Sequence, residues 1–169
     1  FPDNTIKFKD GQNQPFEYIV QSFVYSTQKL VKRGFYRSYV VIEEDIPYLK
    51  GKLLLKQQIL NDLKFNLRFS CEHDEFTANN LENQILLFCL HKCRHLTVFD
   101  SKRNEFNSMI QQMDTFVKYE SISIDEFKTL NYTRINQYYE QTHQLCKIII
   151  QDIGISDFDE PGASFVNSF

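Results

Sequence analysis

Two stretches hold side chains of the kinds that bind metals or move protons: Cys89-x-His91-x-Cys93-x-His95 and Cys71-x-His73-Asp74-Glu75. Thiolates and imidazoles hold zinc when four of them converge on a tetrahedron. On a helix, His91 and His95 share one side, and Cys89 and Cys93 share another roughly 200° away. The donors then alternate around the axis. Two buried cysteines beside two surface histidines satisfy the same pattern. His73 beside two acids fits a helix start or a charge network as well as a proton relay. A Mg2+-dependent nuclease needs an acid on one strand and a [DE]-x-K on the next, so that carboxylates and lysine meet at the metal. Glu126-Phe-Lys128 is such a triplet, but no Asp-bearing strand precedes it. There is no G-x-S-x-G, no Gly-rich phosphate loop, and only 5 glycines in 169 residues. Asp157, Asp159 and Glu160 read as a solvated connection. The expectation is a chain with no catalytic residues, no metal site and no cofactor of its own.

Binding is the remaining chemistry. Net charge is −3, so the chain as a whole has no basic footprint of the kind nucleic acid selects. The distribution is uneven. Residues 29–68 hold nine Lys/Arg against four Asp/Glu. Lys32, Arg33, Arg37, Lys50, Lys52, Lys56 and Arg68 are the candidates for contact with a partner or with DNA. A solvated face satisfies the same composition. If residues 48–56 stay extended, Lys50, Lys52 and Lys56 fall on one side of a strand and Leu49, Leu53 and Leu55 on the other.

The elements that must position these residues follow from periodicity. Pro15 suits a first helical turn. Phe16, Ile19, Val20, Phe23, Val24, Leu30 and Val31 recur at helical spacing up to Gly34. Strands are expected from about 35 to 72. Phe35–Ile42 is rich in aromatic and β-branched residues. In Lys64–Cys71, Phe65, Leu67, Phe69 and Cys71 alternate with polar residues, as in a half-buried strand. Glu43-Glu-Asp-Ile-Pro47 reads as an acidic turn or edge, and residues 56–63 as a short helix or irregular crossing. Further helices are expected near 80–98, 102–116 and 132–153, with Gly154 ending the last. Leu81, Ile85, Phe88 and Cys89 should pack on Ile19, Phe23 and an Ile135–Ile149 stripe. The fold class is α+β: a mainly helical body with a small antiparallel sheet or hairpin projection.

The order of certain features is more specific than any one of them. A helix ends in Lys32-Arg-Gly34, followed by Arg37-Ser-Tyr39 and by Tyr48-Leu-Lys-Gly51-Lys-Leu53. Then come Cys71-Glu-His-Asp74-Glu75 and Thr77-x-x-x-Leu81-x-Asn83-x-Ile85-Leu86. This series resembles the McrC family, the nuclease-bearing subunit of McrBC-type modification-dependent restriction systems. There the segment commonly reads YLRGRI, then C-x-Y-D-E-x-S-x-D-T-x-L-N-R-I-L-K. Tyr39, Gly51, Asp74, Glu75 and Asn83 are the matching positions. Asn79 and Asn80 stand where Asp-Thr is usual, and Gln84 stands where Arg is usual.

The resemblance covers roughly residues 25–155. It implies that 1–154 form one N-terminal adaptor, or stalk, domain with a β projection at about 35–72. Residues 155–169 would then lead toward a C-terminal nuclease domain, which would use Mg2+. Phe1 in place of Met and the apolar end Ser164–Phe169 fit a piece of a longer protein. The implied partner is a McrB-like AAA+ GTPase ring, with DNA in the complex and translocation coupled to cleavage. The alternative is a stand-alone nucleic-acid-binding module that uses the basic strands. Four cysteines without a close-spaced framework, and no apolar run of spanning length, fit the cytoplasm and no membrane.

Overall fold

The computed structural model describes residues 13–96 and 102–156. They are divided between two compact units. One takes the chain up to Phe35 and again from Leu81, and the other is Tyr36–Asn80. Residues 1–12, 97–101 and 157–169, with the expectations that fall on them, lie outside the described residues.

The first unit is helical. It contains α1 (Asn13–Arg33), α3 (Leu81–Arg94), α4 (Arg103–Asp114) and α5 (Glu140–Ser156); α2 belongs to the second unit. Val20, Phe23, Val24, Thr27 and Leu30 form the buried stripe of α1. Gly34 stops the helix at φ 97°, with its N–H donated to the Leu30 and Val31 carbonyls. That left-handed conformation suits a residue without a Cβ. In α3, Asn83, every residue from Ile85 to Leu90, and Cys93 are buried. The helix is enclosed on more than one side. It packs on α4, through Phe106, Met109, Ile110 and Met113, and on α5.

Three packing expectations are corrected. The main neighbours of α1 are α5 and α4 rather than α3. Leu81 is only half-buried, and Ile135 is 70% exposed instead of facing inward. The reason is that residues 132–139 are not helical. Asn136 Oδ1 accepts from the Thr133 N–H and hydroxyl, which diverts the chain through turns and a short 3-10 segment, Gln137–Tyr139. Local side-chain bonds of this kind compete with helix. At its other end α5 continues past Gly154 to Ser156.

The second unit contains β1 (Ser38–Ile46), β2 (Lys52–Leu53), α2 (Leu55–Leu63) and β3 (Phe69–Thr77). The sheet is antiparallel with order β1-β3-β2. The α+β class therefore holds, with helix predominating and one small sheet. The strand boundaries do not. β1 runs straight through Glu43-Glu44-Asp45, and β3 begins at Phe69 and carries the polar run Glu72-His-Asp-Glu75. Residues 64–68 form a turn, with Phe65 at φ 55°. No helix of the described residues is long and apolar enough to cross a membrane.

Candidate functional site

The predicted basic strand face does not form. Gly51 turns the chain at φ 71°, β2 is two residues long, and Lys56 lies in α2. Leu49 and Leu55, expected to face inward, are exposed. Gly51 also sits hard against β3. A Cβ there would overlap the Glu72 carbonyl oxygen and lie 2.9 Å from His73 Cβ. Both its φ and this approach exclude a side chain.

The other named cations are dispersed or engaged. Lys32 and Arg33 end α1, and the Arg33 guanidinium lies 3.8 Å over the Tyr138 ring. Lys52 pairs with Glu72 at 3.3 Å, directly across the β2–β3 register. Arg68 donates to the Asp45 carbonyl at 3.2 Å. Arg37 and Lys50 are exposed. The charge balance changes as well. The basic count over 29–68 borrowed the end of α1 and stopped short of Glu72, Asp74 and Glu75. Within Tyr36–Asn80 there are six Lys/Arg and seven Asp/Glu.

What this unit does expose is apolar. Only two of the twenty-four buried apolar residues among the described ones, Cys71 and Ala78, belong to Tyr36–Asn80. Twelve of the eighteen large exposed apolar residues do. The inversion is clearest in α2. Its amide side faces the sheet: Gln58 Oε1 accepts the Ser70 N–H at 3.0 Å, and Gln58 Nε2 donates to the Arg68 carbonyl. Asn61 donates to Ser70 Oγ at 2.8 Å and to Asp45 Oδ1 at 2.9 Å. The Ser70 hydroxyl donates to the same carboxylate. These bonds from Ser70 and Asn61 hold the Asp45 carboxyl below its ordinary range. The opposite side of α2 bears Leu55, Ile59, Leu60 and Leu63, all exposed. Phe65 and Leu67 follow at 90% and 94% exposure. A second exposed patch lies on the sheet, where Tyr39 and Phe76 are paired in register with their rings tilted against each other at 5.1 Å, beside Val41.

The sequence reading missed this surface because period-2 alternation was taken as burial. One signal was available. The polar residues of α2 that face the sheet are uncharged amides, which suit hydrogen bonding to a strand better than exposure beside four leucine-type side chains.

The remaining motif residues have structural partners. Asn83 is wholly buried and accepts a hydrogen bond from the Tyr139 hydroxyl at 2.7 Å, which fixes the start of α5 to α3. Beside it, His143 Nε2 lies 2.9 Å from the Glu82 carbonyl, so that nitrogen must carry the proton. Nδ1 then accepts from the Tyr132 hydroxyl at 2.7 Å. Burial lowers the His143 pKa to about 4 and raises that of Tyr132 to about 12. Asp74 and Glu75 are exposed on β3. The candidate chemistry elsewhere is local. His73 Nε2 meets Glu44 at 2.7 Å. Glu126 caps the turn begun by Ser123, and Lys128 pairs with Asp125. Cys89 and Cys93 are enclosed in the core, where burial raises both thiol pKa values. His91 lies edge-on to Tyr119 at 4.7 Å, whereas His95 is exposed.

Residues 3–165 match the McrBC 5-methylcytosine restriction system component family. Among solved structures, a chain of the Thermococcus gammatolerans McrBC complex is 26% identical, with a TM-score of 0.57. The match covers 82% of this chain and 43% of that one. A chain of the half-complex from the tetradecameric assembly of Thermococcus gammatolerans McrB AAA+ hexamers with bound McrC is 25% identical, with a TM-score of 0.58. There the match covers 84% of this chain and 36% of the other. The present chain thus spans less than half the length of the solved chains it matches. No curated protein matches it.

Proposed function

The chain belongs to the McrBC 5-methylcytosine restriction system component family, and on that premise we propose that it is the partner-docking part of a restriction endonuclease subunit resembling McrC. In this reading Tyr36–Asn80 engages an AAA+ GTPase ring of the McrB type, and the helical unit transmits that contact. Residues 155–169 lead toward a nuclease domain that uses Mg2+ and cuts DNA as the ring translocates it. The chain contributes no chemistry of its own. The observation that carries the proposal is the inverted apolar distribution. A 45-residue unit that buries two apolar residues and exposes twelve large ones is built to be covered.

The alternative, a nucleic-acid module, draws on Lys50, Lys56 and the exposed Tyr39–Phe76 pair, on which a base could stack. The near-neutral balance of the unit weighs against it, since phosphate binding needs an excess of cations. One titration separates the two readings. The chain is added to the assembled, nucleotide-loaded ring, and binding and hydrolysis are followed. Tight binding with stimulated hydrolysis is expected, together with no affinity for DNA alone. Failure to bind the ring, with DNA binding that falls steeply with salt, would replace the docking reading.

A further inference from the structure

The dispersal of the cations leaves open which surface of Tyr36–Asn80 makes the contact. We infer that it is the outer face of α2 continued by Phe65 and Leu67, and that the ring subunit covers it with an apolar groove edged by carboxylates. This rests on the docking reading and specifies its chemistry.

Three observations converge. Leu55, Ile59 and Leu63 are spaced by four residues and so line one helix face, with Leu60 beside them. The face cannot turn inward, because Gln58 and Asn61 tie the opposite side of α2 to Ser70, Asp45 and the Arg68 carbonyl. The chain then holds a bulky aromatic in the left-handed region: Phe65 has φ 55°, fixed by its N–H to the Asp62 carbonyl and by the Asn66 N–H to the Asn61 carbonyl. Those paired bonds are the C-cap that ends α2, and at the left-handed position usually given to Gly they place a phenylalanine that is 90% exposed, in line with the leucine face.

The charges choose the occupant. Asp62, also exposed, accepts from Gln58, and together with the exposed Lys56 and Lys64 it leaves this stretch with one net positive charge. A second copy of the chain, meeting this face across a two-fold axis, would bring the Lys56 end of one helix against the Lys64 end of the other. A lipid surface is poorly served by a nine-residue helix with one lysine in it. DNA gains nothing from a row of leucines. An apolar groove with acidic edges takes the leucines and Phe65 in its centre and the two lysines at its rim, which is the usual arrangement of a docking interface.

The test uses the full chain with Ile59→Glu, Phe65→Glu and Leu67→Glu together, titrated against the nucleotide-loaded ring. These side chains are exposed, so the melting curve should match that of the parent. Binding should weaken by about thirtyfold or more, the size of a central interface truncation, and stimulated hydrolysis should fall with it. Lys56→Gln and Lys64→Gln together should change affinity only a few-fold and flatten its salt dependence. Hydrogen exchange of the unmodified chain should slow across 55–67 when the ring is added. The inference is overturned if the glutamate variant binds like the parent, or if protection appears elsewhere. It is equally overturned if the variant abolishes self-association or vesicle binding while ring affinity is unchanged. An unmodified chain that does not bind the ring at all removes the docking reading itself, a result distinct from a glutamate variant that binds as the parent does.

Discussion

The two units treat the same residue types in opposite ways. The helical unit turns Phe23, Ile85, Leu86, Leu90, Phe106 and Met113 inward, where all are fully buried. The unit at Tyr36–Asn80 turns its leucines and phenylalanines outward and holds itself together with strand pairing, amides and the Asp45 carboxylate. Apolar composition alone therefore says little about where a core lies. What differs is whether the polar residues of an element are better satisfied by water or by the backbone of a neighbour. In the first unit most face water, with Asn83 and His143 among the buried exceptions, whereas in α2 Gln58 and Asn61 face β3.

The sharpest way to break this contrast is to cut into the core. Ile85→Ala should destabilise the helical unit by about 2–5 kcal/mol, because the site is fully buried and can collapse only in part. A loss well under 1 kcal/mol in a reversible melt would show that α3 is not the centre of the fold.

Acid should act on the same unit. His143 is neutral and buried, with a folded pKa of about 4, against an unfolded value near 6.5. Its contribution is fully present above the unfolded value and is lost as pH falls from about 6.5 toward 4. The full shift is on the order of 3 kcal/mol. Denaturant midpoints taken across that window should decline, and His143→Gln should flatten the decline even if it lowers stability overall. An unchanged slope in the variant would assign the acid sensitivity to other groups.

In the second unit the sensitive site should be polar. Asn61→Ala removes the donor to Asp45 and Ser70, which should loosen α2 locally by about 1–3 kcal/mol. Amide exchange over 55–63 should speed up while the melt of the helical unit stays in place. A uniform change in both would mean that the units do not respond separately. The smallest effect belongs to Leu67→Ser, expected within about 0.5 kcal/mol of the parent, because the side chain is almost wholly exposed. A large loss there would mean that the outward leucines stabilise the chain after all.

Legibility in the sequence follows the same division. α1, α3 and α4 were readable because their apolar residues recur at the spacing of a buried helix face. The sheet fell where it was expected, but its third strand was placed too early, because Phe65, Leu67 and Phe69 imitate a half-buried strand, whereas β3 carries Glu72-His-Asp-Glu75 and is held by paired backbone on both sides. Residues 132–139 looked helical because Ile135 and Tyr139 have helical spacing, and a single Asn136 side chain redirected them. The basic cluster was an effect of window limits. Charge counted along a chain has meaning for a surface only when the window matches a folded unit. Asn83 was recognised as a motif position, but its role as the acceptor for Tyr139 depends on a residue 56 positions away and could not be read locally.

Asn80 ends the second unit, and its side-chain amide donates to the Tyr36 carbonyl and to Ser38 Oγ, each at 3.1 Å. The last residue of the segment thus grips its first. A segment that leaves and returns at one point is a cassette. Its interior can be lengthened, recharged or exchanged for that of a relative while the helices before Gly34 and after Leu81 keep their path. The segment can therefore be grafted by its two ends, which the Asn80 amide holds together.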